Sequence, residues 1–115
     1  MPGMAGVTTH VLDTSVGRPA EGVRVVLEQL DGDGWSEVGS GSTDADGRIA
    51  GLLAAERVRA ATYQLRFDTA TYFRSRGIDG FYPEIAIRFE VTDVGAHHHV
   101  PLLLSPFGYS TYRGS

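Results

Sequence analysis

The residues best suited to chemistry fall in four places. His10 stands alone near the start. Arg48 follows the turn cluster Thr43-Asp44-Ala45-Asp46-Gly47. His97-His98-His99 form a run, and Tyr112-Arg113-Gly114-Ser115 close the sequence. An imidazole ionises near neutral pH, so two of them facing one cleft supply a general base and a general acid. A guanidinium offers a planar fork that suits carbonyl or anionic oxygens. The closing segment brings a phenol, a second guanidinium and a carboxylate. Each feature also has a plain reading. A histidine is commonly solvated, an arginine after a turn is a surface charge, and an aromatic chain end is an edge strand. Histidines at i and i+2 on a strand share a face and can chelate, so the run also admits a metal reading.

These groups must be positioned by strands. Most of the pattern has period two. Val7 to Leu12 reads as a strand that puts His10 on one face with Thr8 and Leu12, opposite Thr9 and Val11. Gly17-Arg18-Pro19-Ala20 turns the chain. Val23 to Leu30 and Trp35 to Gly41 flank Asp31-Gly32-Asp33-Gly34, a strong hairpin signal. Leu52 to Ala61 reads mostly as loop, with a short strand near its start. Thr62 to Asp68 alternates cleanly, as does Ile85 to Val91. Thr69 to Arg76 predicts the one helix, with Asp68 or Thr69 as its cap, Tyr72 and Phe73 on the buried side and Gly77 as its end. His97 to Leu104 and Tyr109 to Arg113 are the last strands. Parity puts His97 and His99 on one face and His98 on the other. Seven to eight short strands and one short helix predict an all-β antiparallel sandwich, in a single domain spanning 1–115 with residues 1–6 disordered.

Composition narrows the function classes. The sequence has 115 residues and a formal net charge of -4. Its ten basic residues, all arginine, are scattered, which argues against nucleic acid as a partner. With no cysteine, disulfides and thiol chemistry are excluded. No stretch approaches membrane-spanning length. The opening Met1–Gly6 lacks the pattern of a secretory signal, so the expected location is cytoplasmic.

Several motifs, in order, resemble one family. Thr9-His10-Val11-Leu12-Asp13 with Gly17-Arg18-Pro19-Ala20 is similar to the start of the transthyretin-like 5-hydroxyisourate hydrolases. Thr43 to Arg48 resembles their second motif. His99-Val100-Pro101-Leu102-Leu103-Leu104-Ser105-Pro106, running into Tyr109 to Ser115, resembles their third and most specific one, and Phe81-Tyr82-Pro83-Glu84-Ile85 fits between. The resemblance implies a transthyretin-like fold of two four-stranded sheets. It implies a homotetramer, a dimer of dimers, with active sites at the dimer–dimer interface. The implied reaction opens the ring of 5-hydroxyisourate to 2-oxo-4-hydroxy-4-carboxy-5-ureidoimidazoline, between urate and allantoin, without a cofactor or metal.

Carried over motif by motif, the catalytic residues are His10, Arg48 and His99. Substrate binding falls to His10, Arg48, Tyr112, Arg113 and Ser115, with the Ser115 carboxylate orienting a histidine. One departure stands out: the family commonly has His-Tyr-His before Val-Pro, and His98 takes the tyrosine position. The competing class is a transthyretin-like carrier of a small molecule, which has no need of the two histidines, Arg48 and the Tyr-Arg-Gly-Ser end together. A secreted adhesion module of sandwich type predicts none of them.

Overall fold

The computed structural model describes residues 6–115. These residues form nine strands: β1 (Gly6–Asp13), β2 (Arg18–Pro19), β3 (Arg24–Asp31), β4 (Gly34–Ser42), β5 (Leu53–Ala54), β6 (Ala61–Phe67), β7 (Ile85–Val91), β8 (His97–Ser105) and β9 (Gly108–Thr111). Among the described residues there is one α-helix, α1 (Thr69–Ser75), and a short 3-10 turn at Ala55–Arg57. One sheet runs β2-β1-β8-β9, with β5 also on β1, and the other runs β4-β3-β6-β7. Between them lie Val7, Val11, Val25, Leu27, Leu65, Phe67, Leu102 and Leu104, each no more than 1% exposed. Every one of these follows the inward parity of its strand.

The sandwich departs from the expected antiparallel pattern at its centre. β1 and β8 pair in parallel, from Gly6 opposite His97 to Asp13 opposite Leu104. Side-chain parity is the same for either direction, so the pattern could not distinguish them. A parallel pair needs a long crossover, and here residues 14–96 supply it. The first sheet also has five strands where four were expected. Arg18–Pro19, expected as turn, pairs with Leu12 and Asp13, while Leu53 and Ala54 pair with Val7 and Gly6. Of the lead-in expected to be disordered, residues 1–5 lie outside the described residues, and Gly6 opens β1.

The helix starts and stops as its sequence dictates. Asp68 accepts a hydrogen bond from the Thr71 amide at 3.1 Å, and Gly77 leaves at φ 68°. Its buried Tyr72 ties the helix to the first sheet: the phenol donates to Asp13 Oδ2 at 2.7 Å. Asp13 is 1% exposed and also accepts from the Ser15 amide at 3.0 Å. Burial, with Asp13 beside it, pushes the Tyr72 phenol up to about 12 from 10.0. Native protein therefore holds this proton after the unfolded chain has lost it. The stability it contributes is complete below pH 10 and falls as pH rises towards 12. Tyr72→Phe is expected to cost about 1–3 kcal/mol in urea unfolding at neutral pH, because one buried carboxylate oxygen loses its donor. The variant should also lose that alkaline drop.

Candidate active site

β1 and β8 are adjacent, and their outward faces carry the polar residues. Thr8, His10 and Leu12 point out from β1, and His97 and His99 from β8. The parallel register sets Thr8 beside His99 and His10 beside Pro101. All three outward imidazoles are half-buried.

Arg48 arrives through a turn built for close approach. Asp44 Oδ1 accepts from the amides of Asp46 at 2.9 Å and Arg48 at 3.0 Å, and the Asp44 amide donates to the Arg48 carbonyl at 2.8 Å. The Val11 amide donates to the Gly47 carbonyl at 2.8 Å, which bridges His10 to Arg48 backbone to backbone. Gly47 sits at φ +76°, and a Cβ there would lie 2.3 Å from the Val11 carbonyl oxygen and 3.3 Å from His10 Cδ2. Only glycine fits this left-handed position against the strand.

The closing segment folds onto His99. Thr111 ends β9, donating its hydroxyl to the Pro101 carbonyl at 2.7 Å. The Gly114 amide then donates to the His99 carbonyl at 2.8 Å. A Cβ on Gly114 would lie 2.5 Å from His99 Cδ2, so the backbone there rests against the imidazole. Both His10 and His99 are thus flanked by a glycine that no other residue could replace without movement.

A cleft of about 400 Å³ opens on this face, lined by Thr8, Asp44, Arg48, His97, His99 and Ser115. Tyr112 and Arg113 border a neighbouring cavity of about 190 Å³ with His98, Ile87 and Phe89, and His99 borders both. The expected site residues therefore separate. Arg48, His99 and Ser115 line one cleft. His10 lies on the same sheet face, bridged to Arg48, and Tyr112 and Arg113 reach the site from the other side of His99. Arg48, Tyr112, Arg113 and Ser115 are exposed in the single chain, Tyr112 at 58%.

Burial is the main reason that the His99 pKa is lowered from 6.5, and the neighbouring His97, Arg48 and His10 lower it further. His99 thus stays neutral at neutral pH, with a lone pair available. His98 faces inward as parity required, at 5% exposure. Its pKa is lowered by burial and then by Arg113, and its Nδ1 has no hydrogen-bond partner among the described residues. The described residues contain no group of three or more histidine or carboxylate side chains placed to hold a metal ion.

Two site features escaped the sequence. Thr8 contacts both outward histidines of β8, at 2.8 Å to His97 Nε2 and 2.7 Å to His99 Nδ1. Parity with His10 put Thr8 on the right face, but the register that brings it to β8 was not legible. Asp44 fixes the Arg48 turn, and the Asp-x-x-Gly spacing was the available signal.

Known proteins share the sequence and fold of this chain. The model of the HIUase/Transthyretin family matches residues 7–114. The 5-hydroxyisourate hydrolase of Salmonella dublin is 47% identical over 109 residues, covering 95% of this chain and 80% of that protein. The structure of Klebsiella pneumoniae 5-hydroxyisourate hydrolase superposes with a TM-score of 0.83 at 38% identity, covering 97% of this chain and 94% of the other. Transthyretin from Sparus aurata superposes with a TM-score of 0.89 at 32% identity, covering 94% and 95%. In the described residues no helix is long and apolar enough to cross a membrane. With its fold, motifs and near-complete match all in agreement, the chain belongs to the HIUase/Transthyretin family.

Proposed function

We propose that the protein is a 5-hydroxyisourate hydrolase, acting in the cytoplasm as a homotetramer without a cofactor or metal. The observation that carries the reading is the cleft in which a neutral, half-buried His99 shares walls with Arg48 under the folded closing segment. Hydrolysis of a cyclic acyl ureide needs a base for water, a donor for the developing oxyanion and a proton for the leaving nitrogen. His99 has the lone pair to activate water, and His10 and His99 between them manage the leaving-group proton. The Arg48 guanidinium holds the substrate and stabilises negative charge on its oxygens. Tyr112 and Arg113 approach from the far side of His99, and Ser115 closes the cleft.

The exposed tail supports assembly as a dimer of dimers with active sites at the dimer–dimer interface. Tyr112 would gain cover there, while the β7 and β9 edges offer unpaired backbone for sheet extension. Sedimentation of the purified protein tests the assembly. The activity is tested by following the loss of 5-hydroxyisourate, generated in situ from urate, with and without the protein. A rate no faster than spontaneous decay, with tight binding of a small aromatic ligand instead, would favour the carrier reading.

The pH profile has a definite sign. A base whose pKa is lowered keeps its lone pair as the solution is acidified, so the acid limb of kcat/KM is expected below pH 6.5. A limb at or above that value would remove His99 from the role of base.

A further inference from the structure

Thr8 lies between the two outward histidines of β8, and its chemistry constrains both. A hydroxyl has one proton to donate and can accept through its lone pairs. Its oxygen is 2.8 Å from His97 Nε2 and 2.7 Å from His99 Nδ1. It can give its proton to only one of them, and when it does so the other must donate to it. The proton positions on the two imidazoles are therefore linked through one hydroxyl.

Two arrangements satisfy both hydrogen bonds and also use the hydroxyl proton. In the first, Thr8 donates to His97 Nε2, and His99 carries its proton on Nδ1 and donates to Thr8. His99 Nε2 is then bare. In the second, Thr8 donates to His99 Nδ1, His97 donates through Nε2, and His99 Nε2 carries the proton. Arg48 decides between them. It lines the same cleft as His99 and puts a positive field there. A lone pair facing a cation is favoured over an N–H facing it, because the N–H points its positive end at like charge.

We propose that Thr8 is a positioning residue that donates its proton to His97 and so obliges His99 to hold its own on Nδ1, presenting a bare Nε2 as the base. The proposal deepens the reading of the site as a hydrolytic one and rests on it for its kinetic consequence. When His99 takes a proton from water at Nε2, the resulting imidazolium keeps its Nδ1 hydrogen bond to Thr8, so no rearrangement accompanies the step. The other charged and titratable groups around His99 are His10 on β1, Asp44 and Arg48 on the turn, Glu90 on β7, His97 and His98 on β8, and Tyr112, Arg113 and Ser115 in the closing segment. None of them replaces the Thr8 contact.

The test combines nitrogen-15 NMR of the His99 ring with steady-state kinetics. Wild type and Thr8→Ser should both show a protonated Nδ1 and a bare Nε2. Thr8→Val, which keeps the shape and removes the hydroxyl, should show a mixture of tautomers. Its kcat should fall about tenfold with KM held within about twofold, and Thr8→Ser should recover most of the loss. The Thr8→Val acid limb should move to lower pH, since the imidazolium loses an acceptor for its Nδ1 proton. His97→Phe frees the Thr8 proton to turn to His99, and should raise the share of protonated Nε2 even if Thr8→Val folds poorly. A wild-type His99 protonated on Nε2, or a Thr8→Val protein with unchanged tautomer and kcat, would overturn the proposal. Absence of ring opening by wild type would instead sink the proposed function, leaving the tautomer measurement to stand on its own.

Discussion

His99→Ala is expected to lower kcat/KM for ring opening by about 100- to 10,000-fold, the usual range for loss of one general acid–base group. Three observations set the size of the effect. His99 lines both cavities of this face. Its burial, and then its charged and titratable neighbours, hold it neutral at neutral pH. Its Nδ1 is engaged by Thr8 at 2.7 Å, so Nε2 is the ring nitrogen without that contact. The loss should appear mainly in kcat, because a base acts in the transition state and not in ground-state binding. Stability should change little, since the ring is half-buried and lies on the outward face of its strand. Retention of full activity on freshly made substrate would refute the role of His99, and with it the acid–base mechanism.

Removal of Tyr112 to Ser115 should be nearly as damaging, by a different route. β9 ends at Thr111, so the ladder from Leu102–Thr111 to Ser105–Gly108 survives the truncation. What goes is the Gly114 hydrogen bond to His99 at 2.8 Å, the backbone against the imidazole and the Ser115 wall of the cleft. Turnover should fall by more than about 100-fold, as expected when positioning of reacting groups is lost. The β-sheet circular-dichroism signal should remain. A truncated protein that still turns over substrate would detach the closing segment from the site.

The sequence made some of this legible and hid the rest for physical reasons. The alternation of Ile85 to Val91 gave β7 with its observed bounds, because apolar residues recur at every second position and one face is buried. The Asp68 cap, Tyr72, Phe73 and Gly77 marked α1 in the same way. β2 and β5 have two residues each, too few to show any period, and they form only because β1 offers its edge. His98 was rightly placed away from His99, since parity is local. The assignment of Tyr112 and Arg113 was harder. Past Thr111 the backbone leaves the ladder, so parity no longer says where a side chain points, and both residues border the neighbouring cavity, away from the Arg48 cleft. The contact of Thr8 with His97 and His99 spans about ninety positions of sequence and depends wholly on pairing direction.

The parallel pairing of β1 with β8 also bears on how the chain reaches its folded state. A nascent chain emerging from the ribosome would present β1 long before its partner exists, and the hairpin of β3 and β4 would be free to form in between. The first sheet cannot close until Ser105 has been made, so the emerged β1 waits with the edge that faces β8 unpaired. Closing so long a loop carries an entropic penalty before any contact offsets it. Folding should therefore be late and slow compared with a meander of local hairpins, and the waiting β1 is where chaperone capture or misassociation would concentrate.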